Sequence, residues 1–64
     1  MRVNPIDVYK DGNLTHIEVL TPSGEFVMQI LWDEHDEQTS ENRVAFREWA
    51  YKHLEQSQGY EVDR

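Results

Sequence analysis

The sequence predicts a single α+β domain over residues 1–64, of order β-β-β-α-β, an antiparallel meander with one helix packed on one sheet face and a short last strand. Three observations predict it. Two turn signals, Asp11-Gly12-Asn13 and Thr21-Pro22-Ser23-Gly24, divide the first half into three strand-like runs. An almost wholly polar loop, Asp33 to Thr39, then interrupts the pattern. Beyond it, apolar residues recur at helical rather than strand spacing.

The run Ile6 to Tyr9 alternates apolar and polar residues and meets the first turn. From Leu14 to Leu20 the strand pattern resumes, with Thr15, Ile17 and Val19 on one face and Leu14, His16, Glu18 and Leu20 on the other. Glu25 to Trp32 places Phe26, Met28, Ile30 and Trp32 on one face, and Val27 and Leu31 flank Gln29 on the other. Apolar residues on both faces predict that this strand is central. Thr39 or Ser40 can cap a helix from about Glu41 to Gln56, with Glu41 favourably placed in its first turn. Phe46, Trp49, Ala50, His53 and Leu54 make its apolar face. Gly59 suits the stop, and Tyr60-Glu61-Val62 can form the last strand. The expected core is Ile17, Val19, Phe26, Met28, Ile30, Trp32, Phe46, Trp49, Ala50 and Leu54.

Composition excludes several function classes. The chain has 64 residues and a formal charge of −7, from 13 acidic and 6 basic side chains. A chain this short hides only about 60% of its unfolded surface, so the core is small. There is no cysteine, hence no disulfide, thiolate metal site or cysteine nucleophile. No apolar run is long enough to span a bilayer and the N-terminus lacks a signal-peptide core, so a cytoplasmic protein is expected. Direct nucleic-acid binding needs clustered Lys and Arg, whereas Arg2, Lys10, Arg43, Arg47, Lys52 and Arg64 are scattered.

The acidic segment Asp33-Glu34-His35-Asp36-Glu37, followed by Glu41, is the most distinctive local feature. One reading is a negative surface for a basic groove of a partner, which speeds and orients association. A solvated linker capping the helix is the second, and a His–carboxylate metal site the third, though without a recognised ligand spacing. Neither His16, His35 nor His53 belongs to a nucleophile–base arrangement. Gly12, Gly24 and Gly59 are isolated turn positions rather than a phosphate loop. No enzyme activity and no cofactor are expected. On the helix, Val44 and Tyr51 lie one above the other with Arg47, Glu48 and Glu55 around them, a candidate contact strip. A free strand edge leaves homodimerisation open.

The segment Glu48-Trp49-Ala50-Tyr51, with Gly59-Tyr60-Glu61-Val62-Asp63-Arg64, resembles the end of the small host RNA polymerase inhibitors of short-tailed enteric phages. The resemblance is confined to the C-terminal part. It implies an inhibitor that contacts a bacterial RNA polymerase, with Arg64 on the last strand as an anchor. The charge of −7, the segment Asp33 to Glu41 and the lack of a catalytic constellation give the leading expectation, a small acidic protein-binding module of phage-like character that acts as a DNA mimic on, or is directed at the RNA polymerase among, host nucleic-acid enzymes. Its candidate partner-binding residues are Asp33, Glu34, Asp36, Glu37, Glu41, Val44, Arg47, Tyr51 and Arg64. The alternative is a non-catalytic structural or assembly subunit that dimerises or docks through its helix or sheet edge.

Overall fold

A computed structural model describes residues 1–64, in the order β1 (Arg2–Lys10), β2 (Asn13–Leu20), β3 (Phe26–Leu31), α1 (Ser40–Gln56) and β4 (Glu61–Val62). The four strands form one mixed sheet in the order β3-β2-β1-β4, and the helix packs on one face of it. The first three strands are the expected antiparallel meander, while β4 lies parallel to β1. The first turn carries positive φ at Asp11 and Gly12, the combination a tight hairpin demands. Thr39 is the helix cap, its hydroxyl accepting from the Asn42 N–H at 3.0 Å. Gly59, at φ 71°, turns the chain out of the helix toward β4.

β3 is an edge strand, not the central one its two-sided apolar pattern predicts. The fourth strand chooses β1 as its neighbour, so only β2 pairs with β3. β4 is short for a local reason. Glu61 and Asp63 N–H groups donate to Met1 and Val3 carbonyls, so the next bond of this parallel ladder would come from residue 5. That residue is Pro5, which has no N–H to donate.

Val3, Ile17, Val19, Ala50 and Leu54 form the fully buried core cluster, with Val27, Met28, Ile30, Phe46, Tyr60 and Val62 packed around it. Leu14 is also buried. Two β-bulges explain where the expected core was wrong. Opposite Val19 and Leu20, Val27 is an extra residue, so the pairing steps from Met28 to Phe26. Phe26 thereby moves to the face carrying Leu20 and is 61% exposed, while Val27 joins the core. Opposite Val8 and Tyr9, Thr15 is the extra residue, and Leu14 changes to the helix-covered face. Trp32, just beyond the end of β3 and half-buried edge-on against Phe46, also lies outside the core cluster, and Trp49 is the last correction, at 57% exposed. The buried line of the helix runs through Ala50 and Leu54, and one residue earlier along a helix points about 100° away.

β1 obeys strict alternation from Val3 to Val8. Because Val3 is fully buried, Pro5 and Asp7 face the helix, and Ile6 and Val8 face the open side. A carboxylate thus lies on the core side of the sheet, where it requires a partner.

Candidate functional site

The acidic loop is held by its own neighbours. Gln38 uses its side-chain amide as a short piece of strand: its Oε1 accepts from the Leu14 N–H at 3.1 Å, and its Nε2 donates to the Leu14 carbonyl at 2.9 Å. It occupies the place beside β2 that β3 vacates at Leu31. Asn42 Nδ2 donates to the Glu37 carbonyl at 2.9 Å, and an Arg43 guanidinium N–H to the Gln38 carbonyl at 2.6 Å. The Trp32 indole N–H reaches the Asp36 carbonyl at 3.4 Å, and Asp33 accepts from the His35 N–H at 3.0 Å. These bonds anchor the loop chiefly through backbone carbonyls. Its carboxylates are left outward: Asp33, Glu34, Asp36, Glu37 and Glu41 are all exposed, and none is in an ion pair.

Beside the loop lies an open groove of about 400 Å³, lined by Leu31, Asp33, Asp36, Asn42, Ala45, Phe46 and Trp49. Its wall belongs to an aromatic row. Trp32 meets Phe46 edge-on at 5.1 Å, Phe46 stacks on Trp49 at 6.5 Å, and Trp49 stacks on His53 at 5.6 Å. Two carboxylates beside a partly exposed aromatic row suit a cationic side chain, whose head gains an ion pair while its aliphatic stem lies along the rings. The Phe46, Trp49 and His53 spacing was visible in the sequence, but as core. The bulge that frees Phe26 and the rotation that exposes Trp49 had no signal there. No three His, Asp or Glu side chains converge as a metal-binding group.

The other predicted residues fall on the opposite flank of the helix. Only Val44, 51% exposed, stands free. Arg47 reaches down to Asp7, Nε to Oδ2 at 2.5 Å, and lies 3.3 Å from the Tyr9 hydroxyl. The hydrogen bond to Asp7 holds the Arg47 pKa above its ordinary value. Arg64 is 2.5 Å from Glu55 and 3.7 Å from Glu48, and its guanidinium lies 5.0 Å from the centre of the Tyr51 ring. Arg47, Tyr51 and Arg64 therefore bind elements of this chain to one another. The nine candidate residues divide into two groups on different flanks, and only the acidic group adjoins a groove.

Tyr51 is half-covered, and burial followed by the negative charge of Asp7 raises its pKa above 10.0. Folding therefore favours the neutral phenol. That contribution is fully present below the unfolded value and is lost as pH rises through the folded one. Ultraviolet titration should show one tyrosine ionising late in the folded protein, with the delay abolished in urea. Absence of a late tyrosinate in the folded protein would contradict this placement.

The chain matches no family model, no curated protein and no solved structure.

Proposed function

We propose that this chain is a non-catalytic acidic binding module that occupies a basic surface of a protein partner, as an inhibitor of a host nucleic-acid enzyme would. One observation carries the reading. The loop Asp33–Glu37 is fastened by Gln38, Asn42, Arg43 and Trp32, while its carboxylates neutralise nothing in the molecule. A solvated linker has no need of such fastening. An anchored loop backbone loses less conformational freedom on binding and holds the roots of its carboxylates in a defined pattern toward the partner. The C-terminal resemblance favours a bacterial RNA polymerase within this class. For Arg64 to act as its anchor, that side chain must exchange Glu48 and Glu55 for the partner.

The second reading, a docking or assembly subunit, draws support from the open sheet face, where Ile6, Phe26 and Leu31 are 46%, 61% and 65% exposed. Capture from bacterial lysate at moderate salt separates the two. The acidic module predicts that a basic nucleic-acid enzyme is retained, that duplex DNA competes it off, and that changing Asp33, Glu34, Asp36 and Glu37 to Asn or Gln abolishes retention. Gln38→Ala, which leaves every charge in place, should weaken it. Equal retention by the neutralised variant would remove the acidic loop from the mechanism and leave the sheet face.

A further inference from the structure

The exposed edge of β3 is unusually bare. Phe26-Val27-Met28-Gln29-Ile30-Leu31 contains no charge and no proline, two of the devices by which edge strands resist pairing, and its bulge at Val27 leaves Met28–Leu31 as regular edge. The Trp32 N–H donates to the Thr15 carbonyl, so antiparallel alternation makes Ile30–Ile17 and Met28–Val19 the hydrogen-bonded pairs. Gln29 and Leu31 consequently turn their N–H and C=O groups away from β2, toward an empty edge. At the end of this strand begins the aromatic row that continues from Trp32 through Phe46 to Trp49.

Charge selects the occupant. Glu25 precedes the strand, and Asp33 and Asp36 follow it, so an uncharged edge is bracketed by carboxylates at both ends. Were a second copy to pair antiparallel about Gln29, the Glu25 end of each chain would be brought to the Asp33 end of the other. Like charges brought together destabilise a strand pair, and the net charge of −7 adds to the repulsion. A strand with cationic ends meets the opposite situation, and its terminal Lys or Arg also fits the groove between Asp33, Asp36 and Trp49.

We infer that the β3 edge receives an extended segment of the partner as a fifth strand, apolar in its middle and carrying Lys or Arg at its ends. The inference rests on the basic-partner reading above and specifies how that partner is gripped. Main-chain bonds to Gln29 and Leu31 supply the pairing, and the bracketing carboxylates supply the selection.

The test is a titration of the isotopically labelled chain with the peptide acetyl-Lys-Val-Thr-Val-Thr-Val-Lys-amide, followed by amide resonances. A twin with Glu at both ends and a twin N-methylated on the pairing edge serve as controls. The Gln29 and Leu31 amides should shift with the lysine peptide, and both twins should bind at least about tenfold more weakly. Gln29→Pro removes the outward N–H at an edge position where proline is tolerated and should reduce affinity by a similar factor; Leu31→Lys, which keeps the N–H, should do so by repulsion. Thermal melting confirms that each variant is folded. Unshifted β3 amides at millimolar peptide, or equal affinity for the glutamate twin, would overturn the inference. So would dimerisation of the chain alone through β3 in sedimentation, which would make a second copy the occupant. Lysate capture by Gln29→Pro keeps the two proposals apart: undiminished charge-dependent capture leaves the acidic module standing and removes the strand.

Discussion

Leu54→Ala should cost this domain a large share of its folding stability. Leu54 is fully buried at the centre of the helix–sheet contact, among Val3, Ile17, Val19 and Ala50. Truncating such a leucine costs about 2–5 kcal/mol, because the transfer energy is lost and a cavity remains. At about 0.05–0.15 kcal/mol per residue, a chain of 64 residues holds only about 3–10 kcal/mol in total. There is no disulfide to absorb the loss. Urea melts followed by circular dichroism give the comparison. Leu31→Ala, at a position 65% exposed, should change stability by no more than about 0.5 kcal/mol. Equal losses at the two positions would mean that the core does not lie where the sheet and helix meet.

Asp7→Ala carries the second large effect. The Asp7–Arg47 pair is about three-quarters covered, with 23% and 28% of the two side chains exposed. Removing the carboxylate strands a guanidinium whose remaining side-chain contact is the Tyr9 hydroxyl. A fully buried pair broken in this way loses about 3–5 kcal/mol, and an exposed one less than about 1. Partial solvent screening puts this pair between them, at about 1–2 kcal/mol. Arg47→Met keeps most of the aliphatic packing and should cost a similar amount. The double variant should lose little more than either single one, since both singles break the same bond. Additive losses would show that the pair is incidental. Asp7→Ala should also bring the Tyr51 ionisation back toward its ordinary range, because Asp7 is one cause of its elevation.

The ion pair shows why some of this chemistry escapes a linear reading. In Ile6-Asp7-Val8 the apolar residues look like the inward ones. Their orientation is decided by Val3, several residues earlier, which is buried against β4 through its pairing with Val62. Once Val3 points in, the two-residue period of a strand sends Asp7 in and Ile6 out. Arg47 then has a fixed task on β1 and is not free to meet a partner. Tyr51 and Arg64 are similarly engaged, through a ring–guanidinium contact joining the helix to the last residue. A surface strip on a helical wheel and a structural clamp have the same sequence signature.

The acidic segment was legible for the opposite reason. Five carboxylates with no Lys or Arg until Arg43 must remain in water, whatever the fold, because desolvating them unpaired is too costly. Their exposure needed no tertiary information. The anchoring of the loop's backbone did: Gln38 is an unremarkable polar residue until β3 ends and leaves the Leu14 backbone groups without a strand.

By itself the sequence determined the element order, the turns, a hydroxyl cap at Thr39 or Ser40 and the exposed acidic loop. Each rests on local chemistry: glycine at positive φ, a hydroxyl on a free helix N–H, an apolar period, charge that must stay hydrated. Tertiary structure decided the rest. Strand order placed β3 at an edge, two bulges exchanged Phe26 for Val27 and brought Leu14 inside, and helix rotation left Trp49 in solvent. These outcomes depend on pairing between residues far apart in the chain, where one inserted residue reverses every face beyond it.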